Sequence, residues 1–116
     1  GCGAKVGASV LSRVLARLKA EGYHKPSSNS DILVGLDAPD DAAVVRSPGE
    51  GMVSVRTVDF FRDFVGDPFL FGRIAANHAL SDCQAMGAAP QTALAIAVVP
   101  FGLPSKTEET LFQMMA

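Results

Sequence analysis

The sequence has little of several residue types, and each scarcity excludes a class of protein. It contains no Trp, one Tyr and only two Cys, Cys2 and Cys83. Two Cys cannot build the disulfide framework of a small secreted domain and suit a reducing compartment, so we expect a cytoplasmic protein. The formal net charge is −2, which offers no basic surface to nucleic acid. We therefore expect no nucleic-acid partner.

Long apolar runs are also missing. The longest, ALAIAVV at 93–99, has the length of a strand and falls far short of the roughly 20 residues that span a bilayer. No GxxxxGK[ST] or GxGxxG pattern is present, so a P-loop or Rossmann nucleotide site is not supported. With 116 residues, 48% of them hydrophobic, the chain is expected to form one domain. Its glycine-rich start, GCGAKVG, and a helical pattern running to its last residue indicate a piece of a longer protein.

Hydrophobic periodicity predicts an α+β fold. Three helices are predicted: from Ser9, as N-cap, to about Ala20; after Pro68, ending at Gly87; and from a capping box of Ser105 and Glu108 onward. Short apolar runs predict strands at 32–36, 42–45, 52–61 and 91–99. This order favours a mixed sheet covered by helices over a regular βαβ repeat.

Three aspartates lie where predicted elements begin or end, beside residues expected to be buried. Asp41 enters one strand, Asp59 leaves another, and Asp82 lies late in the long helix. Unpaired carboxylates near a core are costly, so they stay at its rim or find a cation. Carboxylates from separate elements suit Mg²⁺, which binds through a few of them plus substrate phosphates. The structural alternative is a loop cap for Asp41 and solvation for Asp82.

Two cysteines have different surroundings. Cys2 lies near Lys5 in the glycine-rich opening, where a cation can lower the pKa of the thiol and glycines let the segment fold over a ligand. The alternative is a frayed terminus with an inert thiol. Cys83 lies within the long helix and is interpreted as structural, because Cys is often buried.

Polar residues recur on the long helix. His78 and Asp82 are four residues apart, which allows a metal pair or a hydrogen bond along the helix, and the second is favoured because no other His is near. Asn77 and Ser81 have the same spacing. This pair can line a phosphate site or only cap backbone groups of the helix.

Several segments in this order closely resemble one family over nearly the whole chain. They are GCGAKVGASVL, LVGLDAPDDAAVV, TVDFF, DPFLFGRIAANHALSDCQAMGAAP and ALAIAVVP. The chain resembles the N-terminal domain of selenophosphate synthetase (selenide, water dikinase), in the superfamily of aminoimidazole ribonucleotide synthetase and thiamine-monophosphate kinase. The D-D-A-A-V and S-D-x-x-A-M-G segments recur across that superfamily, whereas the glycine loop with Cys and Lys points to its selenium branch.

The resemblance implies a fold and an assembly. The expected fold is a mixed, mostly antiparallel four-stranded sheet covered by helices, which pairs with a second copy into a β-barrel, so a homodimer is expected. Residues 1–116 would be a single N-terminal domain binding ATP and Mg²⁺, with 1–7 as a mobile catalytic loop and the family's C-terminal domain absent. The segments GCGAKVG and LDAPDD are similar to those of the form of the enzyme that is fused behind a pyridine-nucleotide-disulfide oxidoreductase.

The resemblance also implies residue roles. Cys2 and Lys5 match the essential residues of the family's glycine-rich loop. Asp41, Asp59 and Asp82 match the aspartates that hold Mg²⁺ against ATP, Asn77 falls in the segment before Ser81 and Asp82 that orders the site, and Asp40 lies beside Asp41 without binding the metal. One departure is Ala4, where many members have a second Cys, so a disulfide redox switch between those two positions is not expected.

The implied reaction converts ATP, selenide and water into selenophosphate, AMP and phosphate. The acidic loop would then face metal ions lying between carboxylates and the polyphosphate. A monovalent cation, K⁺, is an additional candidate cofactor. The rival hypotheses are a superfamily sibling, such as a small-molecule kinase or a cyclo-ligase, and a non-catalytic module that mainly dimerises.

Overall fold

A computed structural model describes residues 5–26 and 28–116 and shows an α+β chain. Its elements in chain order are α1 (Ala8–Ala20), β1 (Ile32–Val34), β2 (Val44–Val45), α2 (Pro68–Ala85) and α3 (Pro104–Met115). The three predicted helices are thus confirmed. Among the described helices, none combines the length and the apolar character that a membrane crossing requires.

Both ends of α2 follow local chemistry. The Asp67 side chain accepts a hydrogen bond from the Leu70 N–H at 3.1 Å, and Pro68 occupies the first turn, where a missing N–H costs nothing. At the other end Gly87 has a φ of +68°, and its N–H donates to the carbonyl of Gln84. This left-handed turn closes the helix as predicted, because glycine adopts it without steric cost.

The predicted caps of the other two helices are wrong. The N-cap residues are Gly7 for α1 and Leu103 for α3, and neither provides a side-chain cap. Pro104 has a φ fixed near −65°, about that of a helix, and it starts α3 before Ser105. Both helices therefore begin two residues earlier than the sequence predicts, with the serines inside the first turn.

The buried core lies between α1 and α3. Val14 and Leu18 of α1 meet Leu111 and Phe112 of α3, and all four side chains are at most 5% exposed. The guanidinium of Arg17 lies 3.7 Å from the centroid of the Phe112 ring. This stacking covers the edge of the core while the charge stays in water.

Helix α3 also packs against α2, at Gly72. A Cβ atom built on Gly72 would lie 2.9 Å from the carbonyl carbon of Met114, closer than carbon atoms approach. The absence of a side chain at Gly72 therefore lets the backbones of the two helices come together.

The sheet consists of β1 and β2, paired antiparallel. Ile32 lies opposite Val45 and Val34 opposite Val44, with an irregularity between the two pairs. The loop that joins them, 35–43, carries the acidic stretch, so the predicted arrangement of an acidic loop between two short strands is confirmed.

The segments 52–61 and 91–99, predicted as strands, belong to no helix or strand in the described part of the chain. Their large side chains face solvent: Phe60 is 81% exposed, Leu94 81%, Ile96 67% and Val98 87%. The predicted four-stranded sheet is therefore present only in part. An extended segment becomes a strand only when a second one completes its hydrogen-bond ladder, and the described chain provides none here.

Candidate functional site

The site lies where the segment 57–61 crosses α2. Thr57, Asp59 and Phe61 alternate along the segment, and all three contact the helix. The residues between them, Val58 and Phe60, face solvent. This period of two is that of an extended chain, and it places polar and aromatic side chains on the helix side.

The opposing face of α2 is formed by Phe71, His78 and Asp82, which are spaced by seven and four residues. The Phe61 ring packs edge-on against Phe71 and against His78, with centroids 5.5 Å apart in both pairs. The Thr57 hydroxyl donates to Asp82 Oδ2 at 2.9 Å. Rings hold this crossing together at one end and polar contacts at the other.

His78 and Asp59 form the second polar contact. His78 Nε2 lies 2.7 Å from Asp59 Oδ2, and because an ionised carboxylate only accepts, Nε2 carries the hydrogen. The side chains are 55% and 38% exposed, so the pair contributes at most about 1 kcal/mol to stability. Its consequence is geometric: it fixes the direction of one carboxylate.

Asp59 and Asp82 each have one carboxylate oxygen that is not engaged, the type of ligand that a divalent cation takes. In each carboxylate Oδ2 is engaged, while Oδ1 makes no hydrogen bond with the described residues. Mg²⁺ is commonly held by one or two carboxylates together with substrate phosphates and water. Within residues 5–26 and 28–116, no group of three or more His, Cys, Asp or Glu is arranged to hold a metal.

Asp41 lies in the β1–β2 loop, where its backbone N–H donates to Asp40 Oδ1 at 2.7 Å. It makes no hydrogen bond with Asp59 or Asp82 in the structure. Asp37 of the same loop is within 3.1 Å of His24 Nε2, which ties the loop to the end of α1. Asp59 and Asp82 thus both contact residues of the crossing between 57–61 and α2, and the metal-binding roles of all three aspartates stay predictions.

The remaining predicted site residues lie apart from this contact. Asn77 is exposed on α2 beside His78, and Lys5 is exposed at the start of the described chain. Ser81 donates to the His78 carbonyl at 2.6 Å, so it caps a backbone group of its own helix, one of the two roles considered for it. Cys83 is a free, partly buried thiol. Cys2 lies outside the described residues.

Sequence reasoning missed two features of the site. It considered Asp82 as the partner of His78, whereas the structure pairs His78 with Asp59, and it gave Thr57 no role. The signal was available: residues 57, 59 and 61 alternate, and residues 71, 78 and 82 share a helix face. What was missing was the information that these two faces meet.

Comparisons with known proteins identify the family to which the chain is similar. Residues 39–116, which include all three aspartates, match the family described as "AIR synthase related protein, N-terminal domain". The chain is 47% identical over 108 residues to a selenide, water dikinase of Burkholderia orbicola, covering 92% of the chain and 29% of that relative. It is 49% identical over 106 residues to that of Myxococcus xanthus, covering 91% and 28%.

The chain thus spans less than a third of the length of these curated relatives. No solved structure gives a significant match. The family match covers well over half of the chain and includes the whole candidate site. The chain belongs to the AIR synthase related family, whose N-terminal domain its residues 39–116 represent.

Proposed function

We propose that the chain is the ATP- and Mg²⁺-binding N-terminal domain of a selenide, water dikinase. The parent protein would convert selenide, ATP and water into selenophosphate, AMP and phosphate, supplying selenium for selenocysteine and selenouridine. The observation that carries the proposal is the 47% identity to such an enzyme over 92% of the chain. The crossing of 57–61 over α2 supports it, because it presents two carboxylates on one surface.

Asp41, Asp59 and Asp82 would hold Mg²⁺ against the polyphosphate of ATP, with Asn77 ordering the site. Bound Mg²⁺ offsets phosphate charge and orients the groups that react. Without a cation, these carboxylates would repel the nucleotide. Lys5 would stabilise charge on a transferred phosphoryl group, since such catalysis consists of positioning and electrostatics. K⁺ is a further candidate cofactor.

Cys2 would handle selenium, because a thiolate is a softer partner for that element than an oxygen ligand. Ala4 leaves it without a neighbouring Cys for a disulfide. The catalytic role of residues 1–7 stays a prediction, and residues 1–4 lie outside the described part of the chain. A cytoplasmic location and a fusion to an oxidoreductase domain stay predictions.

A homodimer would complete the sheet. The exposed side chains of Phe60, Leu94, Ile96 and Val98 lie on segments with strand-like sequences. Pairing these segments with their counterparts in a second copy would form a four-stranded sheet in each subunit and a shared barrel. Such pairing would hide apolar edges that otherwise aggregate.

The test uses the full-length parent protein with ATP, Mg²⁺ and selenide, and measures selenophosphate and AMP. Asn replacements of Asp41, Asp59 and Asp82, made one at a time, are each expected to lower the rate by about a hundredfold, as removal of one electrostatic group commonly does. Asp31→Asn is the matched control, because Asp31 is exposed and, among the described residues, its hydrogen bonds and ion pair involve only Arg46 and Asn29. Full activity in all three variants would refute the proposed ligands.

A superfamily sibling, such as thiamine-monophosphate kinase or a cyclo-ligase, is the second candidate, because the matched family is broader than selenium chemistry. Cys2→Ala separates the two. In a selenide, water dikinase it abolishes selenophosphate formation, whereas a sibling reaction has no need of that thiol. Unchanged selenophosphate formation by Cys2→Ala would contradict the assignment of selenium to Cys2.

A further inference from the structure

Asp59 lies on a segment whose backbone is weakly fixed. Residues 52–64 form neither helix nor strand in the structure, so no hydrogen-bond ladder sets the direction of the Asp59 side chain. The rigid surface nearby is α2, with regular hydrogen bonds along its whole length. A contact from α2 is therefore the means by which the Asp59 carboxylate can be held in one orientation.

His78 supplies that contact. Its Nε2 lies 2.7 Å from Asp59 Oδ2, and Asp59 makes no other side-chain hydrogen bond or ion pair with the described residues. The imidazole is itself oriented, because the Phe61 ring stands edge-on to it at an interplanar angle of 89°. Two side chains of the same segment, Asp59 and Phe61, thus hold His78 from two directions.

Engaging Oδ2 leaves Oδ1 of Asp59 available. A carboxylate that binds a metal through one oxygen commonly accepts a hydrogen bond on the other, and this second bond fixes the orientation of the ligand. Losing such an outer partner typically lowers metal affinity by about 10–100-fold. The arrangement of His78, Asp59 and Phe61 has this form.

We propose that His78 is a positioning residue that orients Asp59 for Mg²⁺ binding and sets the metal affinity of the site. The inference rests on the proposed role of Asp59 as a Mg²⁺ ligand. His78 acts through Asp59 and touches neither the nucleotide nor the metal. The His78 side chain acts by donating an N–H hydrogen bond to Asp59. Glutamine carries a donor, Nε2, that can reach a similar position, so His78→Gln should keep part of the metal affinity.

The test measures binding of Mn²⁺, which accepts the same oxygen ligands as Mg²⁺, to the full-length protein with saturating ADP, by the EPR signal of the free ion. His78→Ala is expected to raise the dissociation constant about tenfold, and His78→Gln to recover most of that loss. In assays of selenophosphate formation, the Mg²⁺ concentration that gives half the maximal rate should rise in His78→Ala. The rate at saturating Mg²⁺ should stay close to that of the wild type.

Gln84 provides the control. It is exposed on the same helix, and its side chain makes no hydrogen bond with the described residues. Gln84→Ala should leave the Mn²⁺ dissociation constant unchanged. In an Asp59→Asn background, His78→Ala should weaken binding no further, because the carboxylate it orients is gone.

The outcomes separate the two proposals. If wild-type protein binds Mn²⁺ and Asp59→Asn weakens this binding, but His78→Ala behaves like Gln84→Ala, the positioning role is overturned and the proposed site stands. Tighter binding by His78→Ala, or an additive loss in the double variant, also overturns the positioning role. If Asp59→Asn binds Mn²⁺ like the wild type, Asp59 is not a ligand and both proposals fail at this residue.

Discussion

The helical side of the molecule and its extended side bury their apolar residues to very different degrees. Val14 and Leu18 of α1 are at most 3% exposed, whereas Phe60 and Ile96 of the extended segments are 81% and 67% exposed. Helices satisfy their backbone hydrogen bonds internally and need only a neighbouring surface to bury an apolar stripe. An extended segment needs a second strand before its backbone groups are paired.

The difference explains where the candidate site lies. One side of the site is α2, which is fixed by its own hydrogen bonds, and the other is the segment 57–61, which is held by side-chain contacts with α2. A metal ligand on the extended side therefore depends on a partner from the helical side. This dependence is the physical basis for the role proposed for His78.

The largest effect is expected from a charge on the extended side. Ile96→Asp in the full-length protein should convert a dimer into monomer or into aggregate, because a carboxylate buried at a strand-pairing surface costs several kcal/mol and the symmetric interface contains it twice. Sedimentation velocity measures the change. The extended segments would then have no pairing partner.

The control for this variant is Leu11→Asp. Leu11 is an exposed apolar residue of α1, on the helical side. It should leave the sedimentation coefficient unchanged. If Ile96→Asp also sediments like the wild type, the exposed segments are not a pairing surface, and the predicted barrel is wrong.

A smaller effect is expected on the helical side from Gly72→Ala. In an open helix the change stabilises by about 1 kcal/mol, but here the added methyl group meets the backbone of Met114. Such overpacking costs about 1–3 kcal/mol, so the free energy of unfolding should fall. Urea denaturation followed by circular dichroism measures it.

Gly49→Ala serves as its control, since a Cβ atom at Gly49 meets nothing within 4 Å. It should change the midpoint of unfolding very little. A Gly72→Ala protein as stable as wild type would mean that α2 and α3 do not approach as closely as the structure has them.

The smallest effect concerns a surface pair at the α1–α3 contact. Hydrogen bonds from Gln113 and from Arg17 hold the pKa of Glu109 below its ordinary value of 4.5. Because the folded-state pKa is lowered, this contribution to stability is present above pH 4.5 and is lost as the pH falls through the folded-state value. Glu109→Gln should therefore flatten the loss of stability in acid.

Thermal unfolding between neutral pH and the acidic range measures this flattening. The shift in melting temperature should be smaller than that of Gly72→Ala, because the groups are exposed and screened. Glu50→Gln is the control, since Glu50 makes no hydrogen bond or ion pair with the described residues. Equal acid sensitivity in wild type and Glu109→Gln would show that the pair contributes nothing measurable.

Prediction from sequence succeeded where structure depends on near neighbours. The three helices, the end of α2 at Gly87 and the acidic loop between β1 and β2 were all predicted. The predicted N-caps, Ser9 and the capping box of Ser105 and Glu108, were wrong, because Ala8 and Pro104 start their helices before these serines. The prediction of the partner of His78 was wrong for another reason. Helical spacing suggested Asp82, and no local pattern indicated Asp59.

The sequence by itself determined the α+β class, the helices and the family, because periodicity and motif order are properties of the chain. Only the tertiary structure decided which carboxylate meets which donor. The contact of Thr57 with Asp82 spans 25 residues, and that of Asp59 with His78 joins the same two elements. Such contacts depend on how a helix and an extended segment pack, and packing is set by the whole set of surfaces that must be buried together.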